Sequence, residues 1–271
     1  MAREFKSQVG FLSIAQNNET TDYLELAYRQ ASNIKDTQTN SQYAIITDSA
    51  TVRLITDRHR SVFDYVITVP KDYAINEMWK MSNEWQVFSL TPFKETIKLE
   101  SDLLFTRSIN HWLPALRLRD ICFSYHCKDY KGNVVLTTPY RKIFATNDLP
   151  DIYTGMYYFR YTQFAASFFK LASNIWLNWK TVADQLKQCD DQPTTDVVFA
   201  VAAKIAGIEH CIIPSLDFFN FVHMKSQIQG WNDQQAWTEY VNVERNESML
   251  RINNTNQYYP VHYYDKTFDP C

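Results

Sequence analysis

The chain has 271 residues with a formal net charge of −3, 45% hydrophobic, 15% aromatic and 21% charged residues. That is ample for a folded core and too weakly charged for a disordered chain or one that coats a polyanion. The five cysteines fall at irregular spacing with no Cys-x-x-Cys pair, and five glycines form no Gly-rich phosphate loop, so a disulfide framework, a structural zinc site and a P-loop are all disfavoured.

Met1 to Lys6 lacks the apolar core of a signal peptide, and no window approaches the roughly 18 apolar residues of a membrane span, so a cytoplasmic location without membrane contact is expected. Val9 to Ala15 reads as a buried first strand. A helix follows over Tyr23 to Ile34, with Thr20 or Thr21 as its cap. Tyr43 to Thr47, ending at Asp48, and Val62 to Val69 make the second and third strands, the rhythm of a parallel sheet wrapped by helices. Residues 71–90 read as mostly helical. Thr91-Pro92-Phe93 reads as a helix start leading into a central strand over Leu99–Leu103. Ser108 caps a short helix reaching Arg117. Ile121 to Tyr125 is a strand, and Val134 to Thr137 with Arg141 to Phe144 continue as an antiparallel excursion. Tyr161 to Lys187 is helical, and a further helix opens at Thr194 or Thr195. Phe218 to Lys225 is an apolar strand ending in His223 and Lys225. The aromatic tail from Trp231 onward reads as an edge hairpin or as a cover over the site.

Chemistry concentrates in Thr96-Ile97-Lys98-Leu99-Glu100-Ser101-Asp102-Leu103-Leu104-Phe105. In an extended strand, residues two apart share a face roughly 7 Å apart, so Glu100 and Asp102 can serve one divalent ion. An ordinary solvated strand end has the same pattern. The segment resembles the Asp-x-Asp region of nucleotide-sugar-dependent glycosyltransferases with the GT-A fold, in particular the glycogenin-like family, with Glu100 where the family has Asp. Leu149-Pro150-Asp151-Ile152-Tyr153-Thr154-Gly155, the helix start at Asp196, and Phe221-Val222-His223-Met224-Lys225 extend the resemblance. The spacing from His223 to Lys225 is shorter than in the family. Taken whole, the chain looks like the small stand-alone GT-A proteins encoded by large double-stranded DNA bacteriophages.

The resemblance implies an α/β fold: a GT-A, Rossmann-like mixed sheet flanked by helices, with an antiparallel excursion. It implies a catalytic domain over residues 1–230, split into a nucleotide-binding half (1–105) and an acceptor half (106–230), with an extension over 231–271. The donor is a nucleoside diphosphate sugar, UDP-linked, whose nucleotide lies over the early strand ends at Ala15 and Asp48, with Gly155 and Lys225 also at the donor. Manganese or magnesium is held by Glu100, Asp102 and His223, a set suited to a hard ion that tolerates one imidazole. Asp196 faces the reacting sugar, as general base in an inverting reaction or as a front-face stabiliser in a retaining one. The acceptor it implies is double-stranded DNA carrying hydroxylated cytosine. Arg58 to Arg60, Arg117 with Arg119, and Arg141 with Lys142 are then the candidate phosphate contacts. A glycan or protein acceptor, a nucleotidyltransferase and a non-catalytic nucleotide-sugar-binding protein remain open.

Overall fold

In the computed structural model the described residues are 4–135, 141–187, 192–214, 218–225, 237–246, 249–266 and 268. Two apolar runs rich in β-formers become β1 (Ser7–Ile14) and β2 (Tyr43–Thr47). Both are largely buried, as expected of the parallel centre of an α/β sheet. Between them α1 (Tyr23–Thr37) starts at Asp22, whose carboxylate accepts from Glu25 N at 3.0 Å, rather than at Thr20 or Thr21. Aspartate is an N-cap of at least equal strength. The short α2 (Asp57–Arg60) leads to β3 (Tyr65–Thr68). This strand starts later than expected because the N–H groups of Val62 and Phe63 turn back to His59 O.

Residues 71–90 are helical only at their end, in a 3-10 turn at Met81–Gln86 and in α3 (Val87–Leu90). Thr91-Pro92-Phe93 does not open a helix. Thr91 ends α3, its hydroxyl lies 2.7 Å from that of Thr96, and Phe93 already begins β4 (Phe93–Leu99). The buried β-formers Phe93, Thr96, Ile97 and Leu99 outweigh the capping signal. Nor is Leu99–Leu103 one strand. The chain turns at Ser101 and Asp102 before β5 (Leu103–Leu104).

Next come α4 (Leu113–Leu116), β6 (Ile121–Tyr125) and α5 (Lys142–Thr146). The expected strand over Arg141 to Phe144 is therefore a helix. Ile143 and Phe144 are both buried, which a helical turn permits and a one-sided strand does not. Of the other arm of that excursion, Val134 makes one antiparallel bridge to Lys128, while residues 136–137 lie outside the described set. Then follow β7 (Ile152–Arg160), α6 (Gln163–Leu177), α7 (Trp179–Ala183), α8 (Thr195–Ala206) and α9 (Glu209–Ile212). The run Phe218 to Lys225 pairs only at β8 (Val222–His223). The tail supplies β9 (Val243–Asn246), β10 (Met249–Ile252), β11 (Thr255–Gln257) and β12 (Val261–His262).

The main sheet has the order β3-β2-β1-β4-β7-β6. Its first four strands are parallel, and β7 runs antiparallel to both β4 and β6. The sheet separates two cores. Leu12, Phe93, Tyr157 and Phe159 face α6 and α8, whereas Phe11, Ile97, Leu99 and Met156 face α1 and the Phe105–Leu116 segment. The tail forms an antiparallel sheet β11-β10-β9, and β12 inserts between β5 and β8. Among the described residues no helix is long and apolar enough to cross a membrane.

The β1–β4 pairing depends on Gly10. A Cβ there would lie 2.3 Å from the Phe93 ring. Gly10→Ala should therefore destabilise the fold by about 1–3 kcal/mol, measured by urea unfolding, and Gly10→Ala with Phe93→Leu should recover part of the loss.

Candidate functional site

In this sheet β1 lies between β2 and β4, so the chain steps away from β1 to opposite sides. In open α/β sheets the crevice at the carboxyl ends of such diverging strands is where ligands bind. Glu100, Ser101 and Asp102 stand there. Their turn is clamped from three directions. Glu100 N donates to Gly155 O at 2.9 Å, and Ser101 Oγ donates to Ile14 O at 3.2 Å. The buried Gln30 amide of α1 donates to Glu100 O and Leu103 O at 2.5 and 2.9 Å. One turn along α1, Asn33 exchanges two hydrogen bonds with the Phe105 backbone.

Onto this turn the tail delivers His262. Strand β12 pairs His262 with Leu103 on one side and with His223 on the other. His262 Nε2 sits 3.0 Å from Glu100 Oε2 and 3.1 Å from Asp102 Oδ1. The ligand atoms of Glu100, Asp102 and His262 all lie within 4.8 Å of one another. Lys266 ion-pairs with the other oxygen of Asp102. Burial opposes charge on all of these groups, and their mutual attraction outweighs it. His262 is raised to about 9 by Asp102 and Glu100, while Asp102 is held well below the usual carboxylate range by His262 and Lys266, and Glu100 is lowered by His262.

Two carboxylates and one imidazole nitrogen converging on one point are a donor set for a hard divalent ion. The residues fit such an ion, with the buried Nδ1 of His262 accepting or donating no hydrogen bond among the described residues and Nε2 aimed at both carboxylates.

Of the residues expected from sequence, Glu100 and Asp102 are brought together. His223 is outside the group. Its ring stacks on that of His262 at 5.4 Å between centroids, and burial with the charge of His262 lowers it well below its ordinary range. Lys225 Nζ lies 5.2 Å from the Tyr264 ring centroid. Ala15 is buried at the end of β1, its N–H bonded to Ile46 O. Asp48 accepts from Gln16 Nε2 and from the Ala50 and Thr51 N–H groups. A Cβ at Gly155 would lie 2.9 Å from the Phe221 ring and 3.4 Å from His262 Nδ1, so the close approach this glycine permits is that of Phe221 and His262. Asp196 accepts from Thr154 N at 2.8 Å, Thr154 Oγ1 at 2.6 Å and Arg141 Nη1 at 2.6 Å. Oδ1 anchors the start of β7 to α8, and Oδ2 binds Arg141.

His262 and Lys266 were missed. The run Pro260-Val261-His262-Tyr263-Tyr264-Asp265-Lys266 has the same signal as Phe221 to Lys225, β-formers ending in His with Lys shortly after, and it could have been found by that rule.

No protein-family model and no curated protein matches the sequence. Solved structures do. Mouse xyloside xylosyltransferase 1 in its apo form aligns over 97% of this chain and 99% of its own, with a TM-score of 0.57 at 11% identity. The fold is that of GT-A glycosyltransferases. The galactosyltransferase LgtC, in complex with donor and acceptor sugar analogues, aligns over 71% of this chain and 70% of its own at 13% identity, with a TM-score of 0.47.

A charged His262 stabilises the metal-free protein. Its folded value of about 9 lies above the ordinary 6.5, so the contribution is fully present below about pH 6.5 and is lost as pH rises through about 9. Urea unfolding of the chelator-treated protein should show this decline, and His262→Gln should flatten it.

Proposed function

We propose that the protein is a metal-dependent glycosyltransferase that moves a sugar from a nucleoside diphosphate sugar, UDP-linked, to a hydroxyl acceptor. The observation that carries this reading is the convergence of Glu100, Asp102 and His262 at the carboxyl end of β4 in a GT-A fold. Glu100, Asp102 and His262 would hold manganese or magnesium, which when bound would supply a Lewis acid for the departing diphosphate.

The protein's own groups do the rest. Gln30 and Asn33 fix the turn that presents the carboxylates, so little reorganisation is required when charge develops. Lys266 supplies a second positive charge beside the diphosphate, the role the resemblance gave to Lys225. Its ammonium already sits at the site, on Asp102. Burial of Asp102 and His262 keeps water from screening these charges. Asp196 holds Thr154, and through it the start of β7, against α8.

The acceptor in this reading is hydroxylated cytosine in DNA, as the phage-like resemblance implies. Its phosphate contacts need revision. Arg141 is buried and bound to Asp151, Asp196 and Ile152 O, Arg58 is paired with Glu25, and Arg117 with Glu95. Arg141 is too enclosed to meet a phosphate, whereas Arg58 and Arg117, with side chains 56% and 47% exposed, sit in surface pairs that exchange at small cost and stay candidates.

Calorimetry with UDP and manganese tests the donor half. Asp102→Asn and His262→Gln should abolish metal-dependent binding, Lys266→Met should weaken UDP with the metal site intact, and His223→Ala, which removes only a ring stacked on His262, should keep metal-dependent binding. Equal UDP affinity in wild type and His262→Gln would overturn the metal assignment. Mass spectrometry of nucleosides from hydroxymethylated DNA, incubated with enzyme and a panel of nucleotide sugars, tests the acceptor. Transfer to a glycan or protein with none to DNA would replace the DNA reading.

A further inference from the structure

A ligating imidazole is ordinarily aimed by its second ring nitrogen, which donates to a carboxylate or a carbonyl. His262 is held differently. Its Nδ1 is buried and meets no hydrogen-bond partner among the described residues, and Nε2, which contacts Glu100 and Asp102, is the atom a metal ligand has to give. The ring must then be held for that task through its faces and edges. Three aromatic rings pack on it. Phe221 meets it edge-on with centroids 5.7 Å apart, His223 stacks at 5.4 Å, and Tyr264 lies nearest at 4.6 Å. Tyr264 also stacks on His223 at 5.4 Å, with 20° between the planes, so the three rings of His223, His262 and Tyr264 close a triangle.

Tyr264 reaches this place through an unusual backbone. In a continuing strand it would share a face with His262 roughly 7 Å away. Instead Asp265 N donates to Tyr263 O at 2.6 Å around a Tyr264 φ of 60°, a three-residue turn of the rare, strained hand. A bulky side chain in the left-handed region is uncommon, and such strain persists only where the surroundings enforce it. The turn has two results. It folds the Tyr264 ring back against His262, and it reverses the chain so that Lys266 reaches Asp102. The reversal alone would be served better by glycine. The ring is what glycine lacks.

We infer that Tyr264 is a positioning residue of the metal centre, its ring packed against His262 to fix the aim of Nε2 where a hydrogen bond to Nδ1 would ordinarily do so. Lys225 and Lys266, whose ammonium groups lie 5.2 and 5.7 Å from the Tyr264 ring centroid, hold that ring in turn by cation–π attraction. The inference rests on the metal reading above and adds to it the group that orients the imidazole.

Manganese titrated into the full chain in excess UDP, followed by calorimetry, tests this. Tyr264→Gly keeps the turn and removes the ring, and should weaken manganese by roughly threefold to tenfold, the range of an aromatic pair. Tyr264→Phe keeps the ring and should bind manganese as wild type does. Lys266→Met separates the two results of the turn. It should weaken UDP by the same factor in the Tyr264→Gly background as in wild type, because glycine preserves the reversal. Wild-type manganese affinity in Tyr264→Gly overturns the inference, as does an equal loss in Tyr264→Phe or a smaller effect of Lys266→Met in the Tyr264→Gly background. A Tyr264→Gly chain that no longer folds overturns it too, since the ring would then serve the fold. If wild type binds no manganese with UDP present, the metal reading itself fails and the inference falls with it.

Discussion

Everything at the site depends on β12 being paired along both edges. Asp102 and His262 are 160 residues apart, and a two-residue strand has little pairing energy of its own. It is held by β5 on one side, by β8 on the other, and by Tyr263 N donating to Asp102 O at 3.1 Å. The aromatic cluster beneath supplies the burial. Trp237 and Phe268 lie 5.1 Å apart, Tyr263 and Phe268 5.4 Å apart, and the Trp237 indole N–H bonds to Tyr263 O. Loop-closure entropy grows only slowly with length, so this one small core can hold a closure of such span. The tail sheet thus belongs to the site, since without that cluster the imidazole has no fixed place.

How far the sequence reveals this follows from which contacts are local. Tyr43–Thr47 and Ile121–Tyr125 end where their apolar runs end, because a strand buried on both faces excludes polar residues along its whole length. Asp22 could not be preferred to Thr20 or Thr21 by residue type, since all three cap well. Arg141 to Phe144 failed for a different reason. Its conformation is decided by Asp151 and Asp196, 10 and 55 residues away, and by the Phe144 and Tyr153 rings, each less than 4 Å from the guanidinium. The carboxylates of the site are two residues apart and visible as a motif. Its histidine is chosen by strand pairing, so β8 and β12 offered equivalent patterns and sequence spacing could not separate them.

Two buried clusters in this chain each join two carboxylates to cationic side chains, and the contrast between them bears on function. In the first, Arg141 binds Asp151 and Asp196 with its side chain 2% exposed, sandwiched between two rings. A guanidinium so enclosed cannot leave without stranding both carboxylates, which would cost several kcal/mol. It specifies geometry. In the second, Glu100 and Asp102 are balanced by His262 and by Lys266, whose side chain is 33% exposed. Lys266 reaches solvent, so it can exchange Asp102 for another partner at small cost once a second cation neutralises that carboxylate. The difference in enclosure separates a structural ion cluster from one able to trade its charges with a ligand. The difference lies in the cations, since Asp102 itself is more enclosed than Asp196, with side chains 5% and 24% exposed; under the proposed function it is the reason for giving the metal to the cluster whose cation can move.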